Sequence, residues 1–360
     1  MKTTGMAGLA LAIAACLSCS AGELKTKSEA VAPPRMEDGP RPPKPDDLVV
    51  YLTGDPADAP NKAVGGPALL IIGGGREVPE TYAARALPVA NGGDIVVIRA
   101  SGSDGYNSFF DELVEGPLKP HSVETIMLDS PEKANSDYAV WALKNAEMIW
   151  MAGGDQSRYL NAWKGTRSHK AIEEAYAGGA LLGGTSAGLA VIGEFIYDPD
   201  ETSSAAGEDS ILNPYDERIN ISGDFLNLPL LRGYITDSHF RNRDRMGRSL
   251  AFMARLRQEG RTETITNIAI SEKTSLFIDK DGQGVVDGLQ EVYILAEDEQ
   301  TRRVQVEPGK PLVYTGVLRT KLVAGDTFHL LTRKSSKEPL RLNIDGTTAP
   351  PYIEPANFYD

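Results

Sequence analysis

The chain has 360 residues, a hydrophobic content of 41% and a formal net charge of −13. This length and composition allow one large domain with a substantial buried core, and they exclude a chain that is disordered throughout. The negative charge argues against nucleic acid as a partner, because the phosphate backbone would be repelled.

The first residues have the pattern of an export signal. An early lysine precedes an apolar run over residues 7–15, which is too short to span a bilayer, and small residues then lead to a cysteine. The stretch IAAC, ending at Cys16, resembles a bacterial lipoprotein signal; Cys19 is the alternative lipidation site, and ordinary signal cleavage would also fit. We therefore predict a lipoprotein-type signal over residues 1–19. The protein would be exported to the periplasm or cell surface, or secreted, and would touch the membrane only through an N-terminal lipid anchor.

Residues 20–47 contain six prolines among charged residues. This composition cannot bury a core, so it predicts a disordered, semi-extended tether. The two cysteines both precede it, which leaves the body without a disulfide, a thiolate zinc site or a cysteine nucleophile.

Apolar runs alternate with helical stretches from residue 48 onward. The runs are ALLII (68–72), DIVVIR (94–99), VETIML (123–128), MIWMA (148–152) and ALL (180–182). This alternation predicts a parallel sheet covered by helices on both faces, with a ligand site at the carboxyl edge of the strands. Shorter alternating strands after about residue 267 predict an antiparallel addition. We assign residues 48–335 to this α/β domain, predict a long surface loop over 199–224, and predict a C-terminal tail over 336–360.

Two patterns give no cofactor or metal site. The glycine run at residues 73–75 fits neither G-x-G-x-x-G nor a phosphate loop, so we interpret it as a tight turn after a strand. The histidines are scattered without ligand spacing, at positions 121, 169, 239 and 329. We therefore expect neither a metal nor a cofactor.

Ser186 occupies the corner of the stretch GGALLGGTSAGLAVIGE, residues 178–194. A short strand precedes it, and a helix is predicted from about Ala187. A serine at such a corner is either an N-cap or a nucleophile lifted out of the fold beside a helix N-terminus.

A second polar stretch follows the strand-like GYIT, residues 233–236. It begins Asp237-Ser238-His239 and continues with arginines at positions 241, 243, 245 and 248. The arginines predict either a solvated basic helix face or a carboxylate-binding pocket beside His239.

A serine nucleophile needs a base and a third group that orients the base. His239 is the histidine at a strand end, as Ser186 is. Glu272, in a turn between two strands, is the best-placed acid, with Asp237 as a rival.

Four motifs together resemble the cyanophycinase family of serine peptidases, which includes the aspartyl dipeptidases called peptidase E. They are GGTSAG around Ser186, GGDQ (153–156), DSHFRNRDRMGR (237–248) and AISEKTSL (269–276). The resemblance covers roughly residues 65–335. It implies a flavodoxin-like or glutamine-amidotransferase-like α/β fold.

The resemblance also implies roles for individual residues. Ser186 would be the nucleophile, His239 the general base and Glu272 the residue that orients it. Backbone amides of Gly154 and Ala187 would form the oxyanion hole. The substrate pocket would be lined by Gln156, Asp237, Ser238, Arg243, Arg245 and Arg248.

Two positions depart from the family pattern. Ser238 stands where the family's D-Q-H-F has glutamine, and Leu189 stands where T-S-A-G-A has alanine. Both changes bear on substrate choice rather than on the triad. Serine at the corner, in a body without cysteine, argues against an amidotransferase.

The implied function is hydrolysis of cyanophycin to β-aspartyl-arginine dipeptides through an acyl-enzyme. The alternatives are an aspartyl or isoaspartyl dipeptidase of the same family and, from another class, a lipoprotein that binds acidic peptides without cleaving them. The expected partner is an aspartyl-containing peptide or cyanophycin; a homodimer stays open.

Overall fold

The computed structural model describes residues 39–200, 203–354 and 357–360. The predicted signal, with Cys16 and Cys19, lies outside the described residues, as does the tether up to residue 38. Export and lipidation therefore stay predictions.

The strands and helices of the described chain are numbered in chain order. The strands are β1 Val50–Gly54, β2 Ala68–Ile72, β3 Asp94–Arg99, β4 Ser122–Met127, β5 Met148–Met151, β6 Leu181–Thr185, β7 Phe195–Tyr197, β8 Ile221–Gly223, β9 Tyr234–Asp237, β10 Thr266–Ile270, β11 Thr274–Ile278, β12 Gln283–Gly288, β13 Val292–Ala296, β14 Arg302–Gln305, β15 Val313–Leu322, β16 Thr327–His329, β17 Lys334–Ser335, β18 Leu340–Asp345 and β19 Tyr352–Glu354. The helices are α1 Pro79–Thr81, α2 Leu87–Ala90, α3 Gly105–Asp111, α4 Pro131–Ala134, α5 Asp137–Asn145, α6 Gln156–Trp163, α7 Arg167–Ala177, α8 Ala187–Ala190, α9 Gly207–Leu212 and α10 Met246–Gln258, with a π-helix at Tyr82–Ala86 between α1 and α2.

The first sheet has the order β1-β4-β3-β5-β6-β2-β11-β12-β16-β17. Its central strands, β4, β3, β5, β6 and β2, are parallel, and their apolar side chains are buried. Antiparallel strands extend it at both edges. The predicted α/β fold with a parallel core and added antiparallel strands is confirmed.

The second sheet has the order β19-β18-β15-β13-β10-β9-β7-β8, with β14 pairing to β15. Within it, β9 pairs in parallel with β10 and β7, and the other pairs are antiparallel. The chain passes from this sheet to the first one in the turn between β10 and β11. That turn therefore brings together the ends of strands from both sheets.

Residues 39–47 differ from the predicted tether because they pack on the domain. Arg41 forms two hydrogen bonds with the buried carboxylate of Glu124, at 3.1 and 3.2 Å, and lies over the ring of Trp141. Leu48, at 1% exposure, joins the core. The proline-rich composition of the segment gave no indication of these contacts.

The segment predicted as a loop over 199–224 contains α9 and β8. Helix α9 packs closely on α10: a Cβ on Gly247 would lie 2.2 Å from the carbonyl oxygen of Gly207. Two glycines facing each other allow this approach. The polar residues, glycines and prolines of the segment 199–224 had favoured a loop instead.

The predicted C-terminal tail, 336–360, contributes β18 and β19 to the second sheet. Leu342 and Ile344 alternate with more exposed residues along β18 and are fully buried. This is the two-residue period of a strand with one face in the core, so the tail belongs to the domain. The described chain includes no helix that is both apolar and long enough to cross a membrane.

Candidate active site

Ser186, His239 and Glu272 meet where the two sheets adjoin. Ser186 follows β6 of the first sheet, and His239 lies two residues beyond β9 of the second. Glu272 lies in the turn that leads from β10 to β11. Strands from different sheets therefore deliver the three side chains to one point.

A line of hydrogen bonds joins the three side chains. The distance from Ser186 Oγ to His239 Nε2 is 2.7 Å, and the distance from His239 Nδ1 to Glu272 Oε1 is also 2.7 Å. Asp237, the rival acid in the sequence, lies in an ion pair with Arg248 instead. The geometry is that of a nucleophile, a base and a group that orients the base.

The backbone at Ser186 is strained. Its φ of 55° and ψ of −113° lie outside the regions that residues with a side chain ordinarily adopt, and its hydroxyl does not cap α8. Of the two alternatives for a corner serine, the structure has the one in which the hydroxyl points to His239. The amide of Ala187, as the first residue of α8, has no acceptor within the helix.

The glycine turn, residues 73–75, forms the support under this line. The carbonyl oxygen of Gly73 accepts from the His239 amide at 2.8 Å, and that of Gly74 accepts from the Lys273 amide at 2.9 Å. A Cβ on Gly74, where φ is +89°, would lie 2.5 Å from the His239 ring. A Cβ on Gly75 would lie 2.8 Å from the Glu272 carboxylate.

The glycine turn is thus more than the tight turn that the sequence predicted. Its missing side chains create the space that His239 and Glu272 occupy. The three adjacent glycines were the available signal, but only the second sheet, packed against them, explains why larger residues would not fit.

Burial lowers the pKa of His239 below its ordinary value of 6.5. The hydrogen bond to Glu272 opposes this shift, and the positive charges of Arg243 and Arg245 add to it. The imidazole is therefore neutral near neutral pH, which is the state in which it can accept a proton.

A pocket of about 290 Å³ opens beside Ser186. It is lined by Gly154, Asp155, Gln156, Ser186, Ala187, Ala190, Tyr197, Pro199, Ser204, Thr236, Asp237, Ser238, His239, Arg243, Arg245 and Arg248. All the predicted oxyanion and substrate residues are thus gathered in one lining.

Two of the predicted pocket arginines are held by the protein itself. Arg248, 2% exposed, donates from Nε to the Asp237 carboxylate at 2.8 Å, and a second bond joins its Nη2 to the same group. Arg245 donates to the Ser238 carbonyl oxygen at 2.7 Å. Although burial alone would raise it, the pKa of Asp237 is lowered by the charges and hydrogen bonds of Arg248 and by the charge of Arg245.

For Arg245, the net effect of burial and neighbouring charges lowers the pKa of a basic group. Burial, together with the nearby charge of Arg248, lowers the pKa of its guanidinium to about 10, and Asp237 opposes this shift. The group stays protonated at neutral pH. The floor of the pocket is therefore a buried cluster with a net positive charge.

Arg243 differs from these two arginines. Its side chain is exposed at the pocket, and it forms no ion pair with the residues that the structure describes. Of the three predicted arginines, it is the one with a guanidinium free to contact a ligand.

Gln156, Gly154 and Leu189 each contact neighbouring groups of the fold. Gln156 donates from its side-chain amide to the Tyr197 carbonyl oxygen at 3.2 Å. A Cβ on Gly154 would lie 2.6 Å from the Tyr159 hydroxyl, so a larger residue there would displace Tyr159. Leu189 is fully buried in the core, and it is absent from the pocket lining.

The structure adds Tyr197, Pro199 and Ser204 to the predicted set. Ser204 accepts a hydrogen bond from Arg248 at 2.6 Å. Tyr197 ends β7, and Pro199 and Ser204 lie in the segment after it. Neither part carries a recognisable motif, so these residues could not be selected from the sequence. Within the described ranges, no three His, Cys, Asp or Glu side chains are grouped as metal ligands.

Comparison with known sequences relates the chain to peptidases and cyanophycinases. The profile described as Peptidase family S51 matches residues 99–286. The cyanophycinase of Nostoc sp. is 28% identical over 281 residues, which cover 74% of this chain and 86% of that protein. The cyanophycinase of Geminocystis herdmanii is 30% identical over 210 residues, 54% of this chain and 69% of that protein.

Among solved structures, the chain is similar to a peptidase from an acI-B1 Actinobacterium. The two superpose with a TM-score of 0.48 and 17% identity, over 73% of this chain and 96% of the other.

Proposed function

The chain belongs to peptidase family S51, and we propose that it hydrolyses aspartyl peptides, with cyanophycin as the polymeric substrate, through an acyl-enzyme on Ser186. One observation carries this proposal. The Ser186–His239–Glu272 hydrogen bonds, each 2.7 Å, end at a pocket that contains three arginines.

The proposed reaction begins with transfer of the Ser186 proton to Nε2 of neutral His239. Ser186 Oγ attacks the carbonyl carbon, and the amide nitrogen leaves with the proton that His239 returns. Water, deprotonated by His239, then attacks the ester carbon; the acid product leaves, and Ser186 Oγ takes back a proton from His239. Glu272 keeps the proton on Nδ1 of His239 and stabilises the imidazolium that forms in each step.

The oxyanion of each tetrahedral intermediate would be bound by the amides of Gly154 and Ala187. Both residues line the pocket beside Ser186. The loss of one such donor typically costs about 3 kcal/mol of transition-state stabilisation.

Substrate recognition would depend on Arg243. Guanidinium groups bind carboxylates through two parallel hydrogen bonds. Arg245 and Arg248 each pair with Asp237, whereas Arg243 has no ion pair with any residue that the structure describes. The cationic floor of Arg245, Arg248 and Asp237 would favour an acidic group above it. The cyanophycinase names of the relatives support the polymer as substrate.

A second candidate is an aspartyl or isoaspartyl dipeptidase. Ser238 replaces the glutamine that the family pattern has there, in the lining of the pocket. A binding protein without activity is less favoured, because binding alone does not require a serine aligned with a histidine and a glutamate.

A substrate panel tests these proposals. The purified protein is incubated with cyanophycin, isoaspartyl dipeptides, α-aspartyl dipeptides and neutral dipeptides, each with the Ser186→Ala variant in parallel. Release of β-aspartyl-arginine that needs Ser186 supports the first proposal. Cleavage of the dipeptides alone supports the second, and cleavage of neutral peptides alone contradicts both.

We expect kcat/KM to rise with pH through an inflection below 6.5, the ordinary pKa of histidine, and to be level near neutral pH. Below its pKa His239 is protonated and cannot accept the Ser186 proton, and its pKa is lowered in the fold. A pH–rate profile measures this inflection. In Glu272→Gln, which removes a group that raises the pKa of His239, the inflection should move lower still; a wild-type inflection above 6.5 would contradict the assignment.

The Arg243→Gln variant should raise KM for acidic substrates by about 10- to 100-fold, because a hydrogen bond to a charged group is lost. Arg241→Gln is the matched control, since Arg241 is already paired with Glu291 at 2.6 Å. Steady-state kinetics on the best substrate of the panel compare the two variants. Equal KM values in both would show that Arg243 does not bind the substrate.

A further inference from the structure

A partly buried carboxylate lies two residues beyond the glycine turn. Glu77 accepts a hydrogen bond from Tyr82 on Oε2 and another from Tyr106 on Oε1, each at 2.5 Å. Tyr82 begins the π-helix and Tyr106 belongs to α3, so one side chain joins the glycine turn to two separate helical segments.

The two tyrosines are themselves fixed by an aromatic cluster. The ring of Tyr82 packs edge-on against Trp150 at 5.2 Å between centroids, and the ring of Tyr106 approaches Trp150 at 6.2 Å. Phe110 packs against both tyrosines. Trp150 lies on β5, the strand that leads to Gly154, so the cluster is built on the same parallel sheet as the site.

The position of the glycine turn matters because it contacts all three members of the triad. Its first two carbonyl oxygens hold the backbone at His239 and Lys273. At Gly74 a Cβ would lie 2.5 Å from the His239 ring and 3.1 Å from Ser186 Cβ, and at Gly75 it would lie 2.8 Å from Glu272. A shift of the turn would move the backbone amides of His239 and Lys273 that are hydrogen-bonded to it, and with them the His239 ring and the neighbouring Glu272.

Removing a carboxylate from water costs free energy, whereas apolar packing at the same position would not. Burial raises the pKa of Glu77, and the hydrogen bonds from Tyr106 and Tyr82 oppose that shift. Val78, the next residue, is buried among apolar side chains. Apolar contacts tolerate sliding, whereas two hydrogen bonds from different segments fix a position.

We propose that Glu77, held by Tyr82 and Tyr106, is a positioning residue that sets the glycine turn so that His239 and Glu272 stay aligned with Ser186. This inference rests on the proposed function of the triad. The role proposed for Glu77 involves no contact with the reacting atoms.

The test compares two tyrosine variants that lose the same kind of bond. Tyr106→Phe removes a hydrogen bond to Glu77 and keeps the ring. Tyr138→Phe, the control on a different helix, removes the 2.5 Å bond from Tyr138 to the buried carboxylate of Glu124 and also the 2.9 Å bond that Tyr138 accepts from Arg41, so it loses at least as much hydrogen bonding. Each variant is measured for thermal unfolding, for kcat and KM, and for the rate at which a fluorophosphonate labels the protein.

Tyr106→Phe should lower kcat and the labelling rate by about tenfold or more, with KM within about twofold of wild type, because misalignment affects the reacting groups rather than the pocket. Tyr138→Phe should lower the unfolding temperature comparably and leave kcat unchanged. Equal kcat values in the two variants would overturn the proposal.

Glu77→Gln and Glu77→Ala extend the test. Glutamine can accept from one tyrosine and donate to the other, so it should retain most of kcat, whereas alanine should lose at least as much as Tyr106→Phe. A glutamine variant as impaired as the alanine variant would overturn the geometric role. If Ser186→Ala remains active, the proposed function fails; if it is inactive while Tyr106→Phe is unaffected, only this inference fails.

Discussion

Replacing Ser186 by alanine is expected to lower kcat/KM by at least about 10⁴-fold, the scale on which serine peptidases lose activity when the nucleophile is removed. Oγ is the atom that would attack the substrate. In the alanine variant only water could attack, so no acyl-enzyme could form. The fold should tolerate the change: the lost hydrogen bond to His239 is worth about 1 kcal/mol. Steady-state kinetics and denaturant unfolding measure the two quantities.

The control is Ser136→Ala. Ser136 caps α5 by accepting a hydrogen bond from the Ala139 amide, so its loss should cost about 1 kcal/mol of stability with no change in kcat/KM. The pair separates chemistry from folding. Retention of a tenth or more of the wild-type activity by Ser186→Ala would exclude Ser186 as the nucleophile.

Asp237→Asn is expected to destabilise the protein by about 3–5 kcal/mol, because it leaves the buried charge of Arg248 without its partner. Asp237 and Arg248 are each 2% exposed, so water cannot take over the lost role. The lowered pKa of Asp237 also means that acid should destabilise the wild type, since protonation removes the same charge. Denaturant unfolding of variant and wild type measures the difference.

Two comparisons make this prediction specific. Asp58→Asn breaks the exposed ion pair between Asp58 and Lys62 and should cost less than about 1 kcal/mol. The double variant Asp237→Leu with Arg248→Met removes both charges and should be more stable than Asp237→Asn. If Asp237→Asn costs no more than Asp58→Asn, the pair does not hold the pocket floor.

The parallel core was predictable because its strands are continuous apolar runs of β-sheet length separated by helical segments. Ser186, His239 and Glu272 could be selected for a related reason: each follows the end of a strand, and such ends meet at one edge of a sheet. The four motifs then indicated the family, which the profile match confirms. The catalytic roles of the three residues stay predictions until they are measured.

The environment of these residues could not be predicted in the same way. A Cβ clash at Gly74 with His239, or a pair of tyrosines around Glu77, depends on segments far apart in the chain. Asp237 and Arg248 were predicted to line the substrate pocket, and both do, but their ion pair with each other was not predicted. The turn between β9 and α10 brings the two side chains together. The types and spacing of residues in a sequence do not show which buried charged side chains form ion pairs with each other.

The C-terminal strands were missed for a different reason. Leu340, Leu342 and Ile344 alternate with polar residues, which is a strand pattern, but the surrounding prolines and charges suggested a tail. The pairing of β18 with β15 supplies the backbone partners that a short amphipathic segment lacks alone. Local composition was outweighed there by a tertiary contact.

Activation of Ser186 by His239 can be measured by covalent labelling with a fluorophosphonate, followed by intact mass measurement and peptide mapping. We expect one adduct per chain, on Ser186, formed rapidly in the wild type and lost in both Ser186→Ala and His239→Ala. An adduct on another residue, or labelling of Ser186 that proceeds equally well without the His239 imidazole, would contradict the claim that this histidine activates this serine.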